Sequence, residues 1–164
     1  MKFSTSKNEL QDALKKLSKA TPLRSTLPVL SCVLVNATNN KTTLITTDLE
    51  LTIKIKLSVS IEEEGSAAIP LKQLYDITNE FPDGTRITIS ANSRNKIEIN
   101  TLVGSYDLMG KQKEEFPTTP VIDQKKKVKI LGSVLKEVIN STLFAVSKDD
   151  LKPSLTGVLL RFNS

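Results

Sequence analysis

The acidic pair Asp48 and Glu50 is the part of this sequence closest to a metal-binding or catalytic motif. Alternate residues of a β-strand point to the same face of a sheet, so the two carboxylates could hold a divalent cation, as a nuclease requires. The same spacing is common in turns and surface salt bridges, and no further acids converge on the pair. A metal-dependent nuclease is therefore the weakest of three functional hypotheses.

Missing residue types exclude most other active sites. The 164 residues include no histidine, which rules out a Ser-His-Asp or Cys-His catalytic set and any histidine metal ligand. The single cysteine, Cys32, excludes an internal disulfide and a structural zinc site, and its apolar neighbours predict a core position in a strand. The sequence contains no P-loop, no Gly-x-Gly-x-x-Gly and no nucleophile elbow. We predict a non-catalytic protein without a cofactor or metal.

Charge is unevenly distributed along the chain. The net charge of +5 divides into +5 over residues 1–60, −4 over residues 61–120 and +4 over residues 121–164. Lys15, Lys19 and Arg24 lie on or just after a predicted helix and could contact a polyanion loosely through its phosphates, although such lysines are more often simply solvated. With neither a signal peptide nor an apolar run long enough to span a membrane, we expect a cytoplasmic protein.

Periodicity predicts an α+β protein in which antiparallel sheets pack against two helices. Ser6 and Glu9 form a capping box before a helix with a stripe of leucines, and a second helix follows Pro70 and ends at the turn Phe81–Gly84. Strand-like runs are Phe3–Thr5, Val29–Val35, Thr43–Thr46, Leu51–Val59, Arg86–Ser90, Lys96–Thr101 and Ser105–Met109.

The chain also repeats itself at an offset of 125 residues. Without a gap, Leu10 aligns with Leu135, Pro28 with Pro153, and residues 33–35 with residues 158–160. We therefore predict one domain over residues 1–120 and the truncated start of a second over residues 121–164. The second is expected to have a helix over residues 133–143 and a strand within residues 154–162, after an extended linker over residues 111–127.

Several motifs together resemble the bacterial DNA polymerase III beta subunit, the sliding clamp family. They are the opening Met-Lys-Phe, Thr26–Leu30, Thr47–Glu50, Ile69-Pro70 and Glu115–Pro117. The resemblance implies a DNA-clamp fold with two helices per domain and three similar domains per chain. It further implies a homodimer ring that encircles duplex DNA, makes the polymerase processive and performs no chemistry. The replicative polymerase and the clamp loader would bind through clamp-binding peptides.

The resemblance also assigns roles to individual residues. Arg24 and Lys72 match DNA-facing positions, as does the loop Lys148–Ser154, although Asp149, Pro153 and Ser154 depart from the family pattern there. Two sets complete the assignment: Lys152 and Leu155 at the edge of the partner-peptide pocket, and Lys96, Tyr106 and Leu108 in the ring interface.

A second hypothesis is an α+β module that binds proteins or single-stranded nucleic acid without forming a ring. The absence of tryptophan and an aromatic content of 4% argue against a stacking platform for single strands.

Overall fold

The computed structural model describes residues 1–22, 26–38, 41–118, 128–149 and 151–162. These residues belong to two compact units, Met1–Thr119 and Pro120–Ser164. Arg24, the lysine run at residues 125–127 and the predicted boundary between residues 120 and 121 lie outside the described residues.

Two antiparallel sheets and two helices make up the described part of the first unit, which confirms the predicted α+β class. One sheet has the strand order β5-β1-β7-β8-β9 and the other β4-β3-β2-β6. The helices are α1 (Lys7–Leu17) and α2 (Leu71–Asn79). The strands are β1 (Lys2–Ser6), β2 (Cys32–Thr38), β3 (Lys41–Thr47), β4 (Thr52–Ser58), β5 (Ser60–Glu63), β6 (Gly65–Pro70), β7 (Arg86–Ala91), β8 (Lys96–Thr101) and β9 (Gly104–Met109).

Helix α1 begins where the capping box predicted it. The Ser6 hydroxyl accepts a hydrogen bond from the Glu9 amide at 3.3 Å, satisfying one of the amides that a helix leaves unpaired at its start. Lys7 is 8% exposed, and its Nζ lies 2.6 Å from the Asp83 carboxylate. This ion pair fastens the start of α1 to the turn that follows α2.

The two helices run antiparallel and cover the four-stranded sheet. Near the start of α1 and the end of α2, Gln11 donates a hydrogen bond to Asn79. Helix α1 contacts β3 and β4, whereas α2 contacts β2 and β6. The five-stranded sheet contributes its inner face to the same core cluster, whose fully buried members include Phe3, Leu10, Leu14, Leu17, Ile69, Leu74, Ile87, Ile89, Ile97 and Ile99.

The two sheets are joined along one side by the segment after β9. Lys111 and Ala68 exchange backbone hydrogen bonds of 2.8 and 3.2 Å. Gly110 permits this approach, because a Cβ at that position would lie 2.8 Å from the Ala68 carbonyl oxygen. Phe116 is buried nearby with Cys32, Val29 and Ile45. The prediction that the linker begins at residue 111 is therefore wrong, since residues 111–116 belong to the first unit.

Three strand predictions need correction. Residues 28–31 form a 3-10 turn, in which the Ser31 hydroxyl donates to the Pro28 carbonyl at 2.7 Å, and β2 begins only at Cys32. The run Leu51–Val59 breaks at Val59, because β4 and β5 belong to different sheets. Strand β6 was not predicted, since Gly65 and two alanines give it little β propensity.

The second unit contains α3 (Gly132–Thr142), a 3-10 turn at Leu143–Ala145 and another at Pro153–Leu155. Shifted by 125 residues, α1 coincides with α3, and the turn Ser18–Ala20 coincides with Leu143–Ala145. Residues 158–162, in contrast, form no strand, so that prediction is wrong. Strand β2 is paired with both β3 and β6, and at this offset the counterparts of those partners lie beyond residue 164. A strand without a neighbour leaves its backbone groups unpaired.

Two threonines of β3 provide a matched test of buried hydroxyl groups. Thr42 and Thr46 both have 0% exposure, but the Thr46 hydroxyl donates to the Leu17 carbonyl at 2.8 Å whereas the Thr42 hydroxyl finds no partner among the described residues. We expect Thr42→Val to raise the free energy of unfolding by about 1 kcal/mol and Thr46→Val to lower it by about as much. Urea denaturation of both variants measures this, and a loss of stability in both would contradict the expectation.

Candidate nucleic-acid interface

Lys72 lies in a groove between the end of α1 and the start of α2. It is exposed on the first turn of α2, and Lys15 and Lys19 of α1 line the same groove, which has a volume of about 540 Å³. None of the three lysines forms an ion pair with another described residue. Three cationic side chains therefore lie on one surface. The resemblance assigned a DNA-facing role to only one of them, Lys72.

Arg24, the other predicted DNA-facing residue of the first unit, lies outside the described residues. The nearest described residue before it, Pro22, lines the groove together with Lys72.

The loop predicted to contact DNA in the second unit is closed by its own hydrogen bonds. The Ser147 amide donates to the Leu155 carbonyl at 2.9 Å, which brings the ends of Lys148–Ser154 together. The Asp149 carboxylate accepts a hydrogen bond from the Leu151 amide at 3.0 Å. Asp149 therefore shapes the loop, and its neighbour Asp150 lies outside the described residues.

The same loop carries the residues assigned to the partner-peptide pocket. Lys152 is exposed just before the 3-10 turn Pro153–Leu155, and the side chain of Leu155 is 54% exposed within that turn. Both side chains are accessible on the described part of the second unit.

The residues assigned to the ring interface lie at the free edge of the five-stranded sheet. Tyr106 and Leu108 belong to β9, whose only sheet neighbour in the described structure is β8. They lie opposite Ile99 and Ile97 and thus share the core-facing side of the sheet. The Tyr106 ring meets the Phe81 ring edge-on, with centroids 5.6 Å apart.

Lys96 is on the opposite face of that sheet. Its ammonium group lies 3.0 Å from the Asp107 carboxylate and 3.2 Å from that of Glu98. The hydrogen bonds that Lys96 donates to these two carboxylates, above all the one to Asp107, raise the pKa of Lys96. The three interface residues are therefore close in the sheet, but they do not form a single surface.

Sequence reasoning missed the apolar side chains beside this edge. Leu102 is fully exposed and Val103 is 67% exposed at the hairpin between β8 and β9, and Met109 at the end of β9 is also 67% exposed. An apolar pair in a two-residue turn before Gly104 is the signal that could have revealed them.

Asp48 and Glu50 do not form the carboxylate pair on one strand face that the nuclease hypothesis requires. They lie in the turn between β3 and β4, where the Asp48 carboxylate accepts hydrogen bonds from the Leu51 amide at 2.7 Å and the Glu50 amide at 3.0 Å. Leu49 between them has a φ of +81°, which turns the chain back on itself. Asp48 stabilises a tight turn.

No metal site or membrane span is present in the parts of the chain that the structure describes. No group of three or more histidine, cysteine, aspartate or glutamate residues is arranged to hold a metal ion. No helix within these ranges is long and apolar enough to cross a bilayer.

Comparisons with known proteins give one consistent result. Residues 1–120 match the family model of the DNA polymerase III beta subunit, N-terminal domain. The chain is 30% identical over 160 residues to the beta sliding clamp of Chlamydia pneumoniae and 32% identical over 163 residues to that of Synechococcus elongatus, covering 98% of this chain and 43% of the relative in both cases. These relatives do not favour a module that forms no ring.

Solved structures resemble the chain over nearly its full length. A DNA polymerase III beta subunit from Eubacterium rectale superposes with a TM-score of 0.91 at 30% identity, covering 96% of this chain and 43% of the other. A sliding clamp from Bartonella birtlesii bound to griselimycin gives a TM-score of 0.86 at 28% identity, covering 92% and 40%. The chain thus spans less than half the length of the proteins that it matches.

The Asp48 turn predicts a specific dependence of stability on pH. Hydrogen bonds from the backbone, first that of Leu51, lower the pKa of Asp48 below its usual value. The turn should therefore stabilise the fold above about pH 3.9, the ordinary aspartate pKa, and this contribution should be lost as the pH falls through the lowered value.

Asp48→Asn keeps an oxygen acceptor but does not titrate. We expect its deficit in urea midpoint relative to the original chain to be larger at pH 7 than at pH 3. Asp48→Ala, which removes the acceptor, should be less stable than the asparagine variant at both pH values. A deficit of Asp48→Asn that is the same at pH 7 and pH 3 would contradict the assignment.

Proposed function

This chain belongs to the DNA polymerase III beta subunit family, and we propose that it is the N-terminal part of a sliding clamp that encircles duplex DNA. In this proposal the whole protein tethers the replicative polymerase to its template and acts in the cytoplasm, without catalysis, a metal or a cofactor. The family match over residues 1–120 is the observation that carries the proposal.

Encirclement explains how a protein with a modest net charge can stay on DNA. Direct binding strong enough to hold a protein on DNA requires many phosphate contacts, each of which slows movement along the helix. A ring cannot dissociate sideways, so its phosphate contacts need only be weak and readily exchanged. A net charge of +5 and a few unpaired lysines on the helix pair suit that requirement.

Residues 121–164 would be the start of a second clamp domain. The coincidence of α1 with α3 at an offset of 125 residues supports this repeat. So does the exposure of apolar side chains in the second unit, because a complete domain would cover them with a sheet. Val134, Val138, Leu143 and Phe144 are between 42% and 87% exposed.

The ring would close through the edge of β9. An unpaired edge strand can extend its sheet by pairing with a strand of another chain, and Leu102, Val103 and Met109 would bury apolar area beside it. Lys96, Tyr106 and Leu108 would contribute from the two faces of that sheet. In a head-to-tail dimer the partner strand comes from the last domain of the other chain, which this chain does not include.

DNA contact would involve Arg24, Lys72 and the loop that contains Lys148, Asp149, Pro153 and Ser154. In that loop Asp149 would stabilise the loop conformation, because its carboxylate already accepts a hydrogen bond from the Leu151 amide. Lys152 and Leu155 would border the pocket that receives the clamp-binding peptides of the polymerase and the clamp loader.

Primer extension on a circular single-stranded template tests the proposed function. With clamp loader and polymerase supplied, the full-length parent protein should support long products, and residues 1–164 alone should not, because they lack the partner for β9. The matched control is the parent with Met109→Lys, which places a charge beside the edge of β9 at an exposed position and should also shorten the products. The proposal would be contradicted if the products were no longer with the parent protein than without it. Processive synthesis with residues 1–164 alone would show that no ring is needed.

Removing the assigned phosphate contacts tests the DNA-facing surface. In the full-length parent, Arg24→Ala with Lys72→Ala should weaken binding to duplexes of any sequence and reduce the slope of log affinity against log salt by about 2. Lys41→Ala with Arg94→Ala removes the same charge from exposed sites away from the helix pair and should leave that slope unchanged. Equal slopes for both double variants would contradict the assignment.

A further inference from the structure

The first unit presents two long sheet edges that no further described strand covers. Strand β9 has six residues and ends the five-stranded sheet, and strand β4 has seven residues and ends the four-stranded sheet. The other two edges are less suited to binding a strand. The bridge between Ala68 and Lys111 occupies the outer edge of β6, and β5 has only four residues.

The core-facing side of each long edge is apolar and only partly covered. On β9 these side chains are Tyr106, which is 40% exposed, and half-buried Leu108. On β4 they are Ile53 and Ile55, both half-buried against the core. An added strand with an apolar row of its own would remove more of each side chain from water.

The solvent-facing side of β9 carries excess negative charge. Asp107 lies directly opposite Glu98 of β8, and the Lys96 ammonium group lies 3.0 Å from the first carboxylate and 3.2 Å from the second. One ammonium group facing two carboxylates leaves one negative charge uncompensated. A strand added beside β9 would therefore gain from a cation on this side.

The solvent-facing side of β4 carries the opposite charge. Lys54 and Lys56 are exposed there, and the β3 residues opposite them, Ile45 and Thr43, are uncharged. Neither lysine forms an ion pair with another residue in the ranges that the structure describes. Strand β4 thus offers two cations in the row where β9 lacks one.

We infer that β9 of one molecule pairs with β4 of a second copy of this chain, with the apolar rows side by side and Asp107 beside Lys54 and Lys56. The inference goes beyond the proposed function, which assigns no role to β4. The contact is heterologous, since it joins two different edges. Each added copy leaves one β9 and one β4 open, so assembly continues copy by copy and does not stop at a closed dimer.

Charge disfavours the other pairings of these edges. Two β9 strands would bring Asp107 and Glu98 of one copy close to the same carboxylates of the other, and two β4 strands would place lysines beside lysines. Like charges on neighbouring strands are destabilising. Strand β5 offers one apolar core-facing side chain, Ile61, and its Glu62 is already paired with Lys2 at 2.7 Å.

The association should be weak. A single pair of six- or seven-residue edges forms a small interface, and small interfaces belong to transient contacts. Millimolar chain should therefore assemble, whereas nanomolar chain, as used in primer extension, should stay monomeric. The expected failure of residues 1–164 to support processive synthesis is unchanged by this inference.

Sedimentation velocity of the 164-residue chain from micromolar to millimolar concentration tests the pairing. The average mass should rise with concentration and pass that of a dimer. Asp107→Lys alone, and Lys54→Asp with Lys56→Asp, should each abolish the rise, because like charges then meet. Mixing the two variants should restore it, because each then presents the complement of the other.

Asp76→Lys is the matched control. It makes the same substitution at an exposed position of α2, away from the sheet edges, and should leave the association unchanged. Circular dichroism of each variant checks that the fold is retained.

Hydrogen exchange identifies the strands that pair. At high concentration the outward backbone amides of β4 and β9 should exchange more slowly, since a new neighbour accepts their hydrogen bonds, and those of β5 should not change. Protection of β5 in place of β4 or β9 would overturn the assignment of edges.

Other results would also overturn the inference. These are a chain that stays monomeric at millimolar concentration, a mass that levels off at a dimer, and a mixture of the two charge variants that does not associate. Association that survives both charge reversals but is lost in Phe144→Ser with Leu151→Ser would lie in the exposed apolar side chains of the second unit instead. Primer extension with the parent protein decides the proposed function independently of all these outcomes.

Discussion

The burial of one apolar face of each helix is the interaction on which the rest of this structure depends. Leu10, Leu14 and Leu17 of α1 and Leu74 of α2 are at most 1% exposed, and each such leucine contributes about 1.5–3 kcal/mol when it leaves water. Once these faces are fixed, the polar faces must point away from the core. The outward positions of Lys15, Lys19 and Lys72 follow from this one constraint.

The same core also decides which backbone edges stay open. Both sheets pack against one core with the helices, so a further strand can be added only at a sheet edge. The bridge between Lys111 and Ala68 already occupies the outer edge of β6. Among the residues that the structure describes, strand β9 has no second neighbour, and its inner face is anchored by the contact between Tyr106 and Phe81. An exposed edge strand beside apolar side chains can pair with a strand of another chain.

Features specified by neighbouring residues could be predicted, and features that need distant partners could not. The capping box located the start of α1 because Ser6 and Glu9 are three residues apart and bond directly. The break at Val59 was missed because alternation continues through it, and only the assignment of β4 and β5 to different sheets reveals it. For Asp48 and Glu50, spacing alone could not distinguish a carboxylate pair on one strand face from a turn closed by a carboxylate, and the hydrogen bonds of Asp48 show the turn.

By itself, the sequence determined the fold class of this protein: periodicity specified two amphipathic helices and alternating strands, and the absence of histidine excluded catalytic sets that depend on it. Only the tertiary structure decided that Lys15, Lys19 and Lys72 share one groove, and that residues 158–162 form no strand although their pattern matches β2. The physical reason is the same in both cases. Periodicity reports which face of an element is buried, whereas a groove or a strand exists only when a partner from elsewhere in the chain lies beside it.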